Sequence, residues 1–399
     1  MNSVTIMRTT LRERPHVVYA VLVVIVFGLL FANALTQRGS WEFVIDDPVA
    51  EASDGSQKPF YRVSFVHQEG LTPFVHASTI TPLDGGNLLA VWYGGGREGG
   101  RDAALYSSVY LHDQGVWQEP KVLIDHEASQ RQLRRFIKTI GNPVVWNDGQ
   151  GRLWVYFVTV SIGGWAGSAV NVMYSDDNGE SWSAARRLVT SPFLNVSTLV
   201  KTQPLAYTDG TIGLPVYHEF LGKFGELLRL GPQAKVLDKV RMSSGRYSLQ
   251  PSIAPVSPQR AVALLRYSGK ATRRILLTRT QDGGNAWRPS VATELPNPNA
   301  AVTVLPVGAD RLLLVFNNTE RDRYNLSLAE SLDAGKTWRV LHAFENHPYA
   351  RHRLRFSYPY IIQTGDGVFH VTYTWRKQRI KHVAFNKAWL AEQKKRLKP

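Results

Sequence analysis

The octapeptide S-D-D-N-G-E-S-W, Ser175 to Trp182, occurs three times in spirit: again as T-Q-D-G-G-N-A-W from Thr280 to Trp287, and as S-L-D-A-G-K-T-W from Ser331 to Trp338. A shortened copy, H-D-Q-G-V-W, ends at Trp117. Each copy reads as a hairpin tip. Asp and Asn hydrogen-bond their own backbone, Gly supplies positive φ, and the Trp returns on the next strand to cover the turn. Self-similarity at roughly 50 residues marks an array of equivalent supersecondary units.

A second repeat counts those units. A turn followed by an apolar strand appears at Asp84 (D-G-G-N-L-L-A-V-W), Asp148 (D-G-Q-G-R-L-W-V-Y-F), Asp209 (D-G-T-I-G-L-P-V-Y), Pro258 (P-Q-R-A-V-A-L-L-R), Gly308 (G-A-D-R-L-L-L-V-F) and Gly365 (G-D-G-V-F-H-V-T-Y). Short strands rich in Val, Leu, Tyr, Trp and Phe, punctuated by Gly, Asp and Pro, call for an all-β repeat fold. Six four-stranded blades over about 325 residues make a six-bladed β-propeller, which manages its strand edges by radial closure.

The chain has 399 residues and no cysteine, so disulfides and thiol chemistry are excluded. Its net charge of +15 points to an anionic partner. Nucleic acid is the weakest choice, because no nucleic-acid-binding motif is present and the basic residues are scattered apart from Arg131 to Lys138, Arg351 to Arg355 and the tail K-K-R-L-K-P. Neither H-E-x-x-H, a calcium-loop spacing nor a phosphate loop occurs, so no metal or cofactor is expected.

From Val17 to Leu35 the chain carries no charge. That run matches the length needed to cross a bilayer core. Arg8, Arg12 and Arg14 precede it, and Glu42, Asp46, Asp47, Glu51 and Asp54 follow. The positive-inside bias then places residues 1–15 in the cytoplasm, 16–37 in the inner membrane as a single-pass anchor, and the propeller in the periplasm or outside the cell. Ala32-Asn33-Ala34 also fits a signal-peptidase site, the alternative being a cleaved signal peptide. Residues 38–58 read as a linker, 59–390 as the propeller and 391–399 as a basic tail.

The S-x-D-x-G-x-x-W boxes on six β units resemble the Asp boxes of the sialidase (neuraminidase) superfamily, in its BNR-repeat, sialidase-like branch. The resemblance covers about residues 60 to 390 and implies fold more strongly than activity, because the boxes lie away from the active centre in that family. Sialidases resembling this chain carry three arginines for the substrate carboxylate, an Asp acid/base, and a Tyr nucleophile activated by a Glu. By local pattern the resemblance implies Arg266 (A-V-A-L-L-R-Y-S-G) and Arg323 (E-R-D-R-Y-N-L) as two of the arginines. It implies Tyr358 (S-Y-P-Y-I-I) as nucleophile, and Asp102 (G-G-R-D-A-A-L-Y) as acid/base with Glu98 beside it.

Two positions depart from the pattern. The first arginine of the family falls where F-V-H-A-S-T-I has Val75 and His76, with Arg62 in Y-R-V-S-F as a replacement if the preceding loop folds inward. The activating glutamate falls where S-L-Q-P-S-I-A has Gln250. Histidine lacks the guanidinium fork that grips a carboxylate in two bonds, and glutamine takes no proton. Glu219, in L-P-V-Y-H-E-F, and His76 are the substitute bases. Gln203, Asn142 and Asn299 recur at blade entries, where amides suit either hydroxyl recognition or turn stabilisation. The expected activity is a membrane-anchored, sialidase-like exo-glycosidase on an acidic oligo- or polysaccharide. The alternatives are a polysaccharide lyase using His76 and Tyr358 on a uronate, and a glycan-binding propeller without catalysis.

Overall fold

Each intact box is held by the same three hydrogen bonds in the computed structural model, which describes residues 15–36, 41–45, 58–191, 195–243, 245–350 and 354–396. Ser175 Oγ donates to Asp177 Oδ1 at 2.7 Å and accepts from Gly179 N at 2.9 Å, while Asp177 Oδ1 accepts from Ser181 N at 2.9 Å. Thr280, Asp282, Gly284 and Ala286 repeat this pattern, as do Ser331, Asp333, Gly335 and Thr337. The glycines adopt positive φ, 93°, 96° and 77° at Gly179, Gly284 and Gly335, a region closed to most side chains. The repeated sequence is therefore a repeated capped turn.

These turns join the third strand of a blade to the fourth. The strands form six antiparallel sheets, with inner strands that include Phe74–Pro82, Thr139–Asn147, Ser248–Pro255, Thr303–Gly308 and Phe356–Gln363. In the third blade the inner position is filled by two short pieces, Leu199–Val200 and Leu205–Ala206, both paired with Ile212–His218. Tyr61–Phe65 pairs with Arg379–Phe385 and so supplies the outer strand of the last blade, closing the ring with the N-terminal end of the propeller. Apolar residues at alternate positions of neighbouring blades fill the spaces between sheets. Tyr156, Val158, Val172, Leu214, Val216 and Leu228, for example, pack between the second and third blades.

Four inner strands share an irregularity that positions the site. Ala77, Asn142, Gln250 and Tyr358 each adopt left-handed φ (53°, 45°, 53° and 55°) where the register with the second strand shifts. A non-glycine residue in this region costs about 1–2 kcal/mol, and such bulges re-aim side chains. Because the four bulges occupy equivalent places near the strand starts, they gather at one end of the central axis. The loops joining second to third strands, and those joining successive blades, lie at that end. The capped turns lie at the other.

Residues 42–45 also join the far end. Phe43 is buried, stacks on Tyr207 at 5.0 Å between ring centroids and donates its N–H to the Pro258 carbonyl, while Thr208 N–H donates to the Glu42 carbonyl. At the C-terminus the sequence reads as a basic tail from 391. Residues 391–396 instead continue a helix, Lys387–Arg396, whose Trp389 and Leu390 are buried and whose Lys394 pairs with Glu330 at 2.7 Å. The apolar i, i+1 pair anchors the helix, which the basic composition conceals.

A separate unit ends at Trp41 and contains a helix, Pro15–Thr36, whose described apolar side chains are mostly exposed. Among the described residues no helix is long and apolar enough to cross a membrane. The crossing expected from the sequence is thus a helix here, without the span being shown. Of the expected cytoplasmic segment 1–15, residues 1–14 lie outside the described residues, as does most of the linker.

Candidate functional site

At the bulged end of the axis, Gln250 is the hub. Its Nε2 donates to the Tyr358 hydroxyl at 3.3 Å and to the Tyr217 hydroxyl at 3.2 Å, and its Oε1 accepts from Arg266 Nη1 at 3.2 Å. Asn142 Nδ2 donates to the same Tyr217 hydroxyl at 3.1 Å. The arginine fixes which way the amide points, since only its oxygen accepts from a guanidinium.

Two cations line one side of this network. Arg266 Nε donates to Asn299 Oδ1 at 2.6 Å, and Arg323 Nη2 donates to the Asn299 backbone carbonyl at 2.6 Å, so one residue holds both guanidinium groups. Arg323 keeps a solvent-reachable face yet is recessed among protein atoms. Burial and the charge of Arg266 bring its pKa from 12.5 down to about 10. The nearby Arg355 acts in the same direction. Among the described residues, neither Arg266 nor Arg323 has a carboxylate in an ion pair. Two neighbouring guanidinium groups without a protein carboxylate in an ion pair are suited to receiving one.

His76 stands across from them. It is buried, its ring centroid is 4.3 Å from that of Tyr358, and its Nδ1 shares a hydrogen bond with Thr374 Oγ1 at 3.1 Å. Burial, then the charges of Lys377, Arg323, Arg266 and Lys201, push its pKa well below 6.5. At neutral pH it is therefore an uncharged imidazole. The third arginine of the resemblance is thus a neutral ring, and Tyr358 touches an amide where a base belongs.

Lys201 is the residue the sequence reading overlooked. It is only 3% exposed, donates from Nζ to the Pro359 carbonyl at 2.5 Å, and lies 6.0 Å and 5.5 Å from the ring centroids of Tyr358 and Tyr360. Burial lowers its pKa to about 7. In the sequence K-T-Q-P it looks like an ordinary exposed strand entry, and only the proline-bounded pattern shared with N-P, Q-P and Y-P of other blades marks it as axial.

The remaining candidates divide. Glu98 and Asp102 sit in the 96–103 loop at the site end. Glu98 pairs with Lys377 at 2.9 Å, and Asp102 Oδ2 accepts from Gly96 N at 2.5 Å, which holds the carboxylate against its own loop. Glu219 follows the inner-face Tyr217, but among the described residues no hydrogen bond joins it, or any other carboxylate, to the Tyr358 hydroxyl. Its backbone N–H donates to Ser197 Oγ at 2.7 Å. As a base for Tyr358 it is out of contact. Arg62 is not in the site: it lies on the closing outer strand and donates to the Gly115 carbonyl at 2.6 Å. The loop does not fold inward because that strand is consumed by ring closure. No cluster of three or more His, Asp or Glu able to hold a metal ion is found among the described residues. A hollow of about 590 Å³ between the fourth and fifth blades lies at the capped-turn end, lined by Arg260, Arg279 and Asp310, and contains none of these groups.

Residues 86–371 match the model of the BNR repeat-like domain. The chain belongs to that family. No curated protein matches it by sequence. Among solved structures, the Hadza microbial sialidase Hz136 superposes with a TM-score of 0.65 at 16% identity, covering 81% of this chain and 68% of that one. A protein of unknown function from Dyadobacter fermentans gives 0.64 at 13%, covering 82% and 99%. The NanB sialidase from Streptococcus pneumoniae gives 0.62 at 11%, covering 84% and 71%. At these identities the likeness concerns the fold, so this BNR-repeat protein is a sialidase-like propeller whose chemistry rests on its own side chains.

Proposed function

We propose that this protein binds an acidic glycan at the bulged end of the propeller axis, the sugar carboxylate lying against Arg266 and Arg323, and cleaves the adjoining glycosidic bond. The observation that carries this reading is the pair of recessed arginines held by Asn299 without a carboxylate partner. Tyr358 is the nucleophile in this reading, with the neutral His76 imidazole beside it in place of a carboxylate base, and Asp102 the acid on the flanking loop. Because His76 occupies the place of a third arginine, an acidic sugar other than sialic acid is the favoured ligand.

A second reading has one observation in its favour. The Tyr358 hydroxyl is bonded to the Gln250 amide, which cannot accept its proton. Binding without cleavage follows if His76 does not take that proton. The full-length protein, incubated with a panel of acidic oligosaccharides, separates the readings. New reducing ends without ultraviolet absorbance support the hydrolase, an unsaturated-uronate absorbance supports a lyase, and binding with neither supports the second reading. Absence of binding to every acidic sugar sinks both.

Attachment to the inner membrane through residues 16–37, with the propeller in the periplasm or outside the cell, is part of the proposal. It rests on the uncharged run in Pro15–Thr36 and on the preceding arginines. Retention in the membrane fraction after alkaline carbonate washing tests it, and release into the supernatant contradicts it.

A further inference from the structure

The two ends of the propeller differ in charge as well as in architecture. Among the described loops of the site end, Arg and Lys outnumber Asp and Glu by about two to one, whereas among the turns of the far end the acids outnumber the bases by about two to one. The capped turns account for much of the second ratio, since each spends an Asp on its own backbone. The basic loops are spread around the rim. Arg131 to Lys138 join the first blade to the second, Lys270 and Arg273 join two strands of the fourth, and Arg376 and Lys377 two strands of the sixth.

Exposed aromatic tips stand on the same end, Phe136 on the loop that carries Arg131 to Lys138. Phe136 is 55% exposed, Phe220 53%, Tyr247 55% and Tyr349 wholly so. Phe220 and Tyr247 stand on neighbouring loops, where Lys223 N–H donates to the Arg246 carbonyl, whereas Phe136 and Tyr349 belong to other blade junctions, so the aromatics occupy three separate places on the rim. Isolated aromatic faces between cations suit the apolar faces of sugar rings whose other substituents are anionic.

We propose that the whole site end is a binding face for a polymeric acidic glycan whose chain runs from the axial arginines across the rim of neighbouring blades. The proposal rests on the reading that the axial site takes an acidic sugar, and it specifies the substrate class as a polyanionic polysaccharide rather than a lone terminal residue. A bilayer with anionic lipids offers the same charge, but aromatics at three separate places around the rim match a linear polymer better than a continuous apolar surface.

The test uses full-length protein in detergent and a ladder of oligogalacturonates from disaccharide to dodecasaccharide. Affinity is expected to rise at least about tenfold along the ladder and to weaken with added salt, because several rim cations act together. Arg135→Glu combined with Lys270→Glu, both distant from the axis, should remove that gain while leaving disaccharide affinity unchanged. Asp113→Lys at the far end should change neither. Equal affinity for disaccharide and dodecasaccharide overturns the polymer face while leaving the axial reading intact. Length-dependent binding without any disaccharide binding overturns the axial reading and leaves the face. Rim variants that lose binding to phosphatidylglycerol vesicles but not to the dodecasaccharide assign the face to a membrane and overturn the proposal.

Discussion

The Gln250 amide donates to the Tyr358 hydroxyl at 3.3 Å while its oxygen accepts from Arg266 at 3.2 Å. One neutral side chain thus stands between a phenol and a guanidinium, where a carboxylate would both accept a proton and neutralise an arginine.

Gln250→Glu should therefore do two things at once. The new carboxylate accepts the Tyr358 proton, and turnover of a cleavable acidic glycoside is expected to rise by ~10²-fold, the lower range for general-base assistance. It also pairs with Arg266, so affinity for the glycan carboxylate should weaken. Sialoside cleavage should remain at background unless His76→Arg is added. Initial rates and KM on both substrates check this, and sialic acid release by the single variant would show that the third cation is not needed.

Lys201 is a buried cation without a carboxylate at hydrogen-bonding distance among the described residues, and removing it should stabilise the fold. Its folded pKa of about 7 lies below the usual 10.5, so the unfolded chain holds the extra proton between those values. The penalty is complete below pH 7 and fades as pH rises toward 10.5. Lys201→Met should gain about 2–3 kcal/mol more at pH 6 than at pH 9. Urea unfolding at both pH values measures it, and a pH-independent gain would place the effect in packing alone.

A buried histidine pair gives a dependence of the same sign in a more acidic window. His370 Nδ1 and His382 Nε2 are 3.0 Å apart, and burial holds His370 at about 4. Between that value and 6.5 the unfolded chain binds the extra proton, so stability is present above 6.5 and falls as pH drops toward 4. The loss from His370 is on the order of 3 kcal/mol. Denaturation midpoints from pH 7.5 to pH 4.5 should fall, and His370→Gln should flatten the fall. An unchanged slope in the variant would contradict this origin.

How much of this was legible in sequence follows from how local each interaction is. The capped turns are complete within eight residues, so Ser331, Asp333, Gly335 and Trp338 announce their own hydrogen bonds. His76, Gln250 and Tyr358 lie near the starts of inner strands and Arg266 and Arg323 at or beyond the ends of second strands, places that local pattern marks within each blade. Arg62 misled because its strand belongs to the last blade, a pairing of 61–65 with 379–385 that no local pattern encodes. Lys201 was invisible for a related reason: its burial is produced by other blades, Tyr358 and Tyr360 of the sixth among them. Glu219 misled because its strand, Ile212–His218, ends before it: Tyr217 reaches the Gln250 network, while Glu219 already belongs to the following loop.

The capped turns should matter for stability and not for binding. Asp333→Ala removes the acceptor of the Thr337 N–H and the Ser331 hydroxyl, and is expected to cost about 1–2 kcal/mol. Glycan affinity should be unchanged because the turn lies at the far end. Thermal unfolding together with titration of an acidic disaccharide decides it, and a binding defect in the folded variant would place the box near the site.

The central claim is that Arg266 and Arg323 form a carboxylate receptor. Calorimetric titration of the full-length protein with an acidic disaccharide and with the same disaccharide after reduction of its carboxyl to an alcohol tests it most directly. The charged sugar is predicted to bind at least about tenfold more tightly, with the difference abolished in Arg266→Met combined with Arg323→Met. Equal affinity for the two sugars in the wild-type protein would contradict the account.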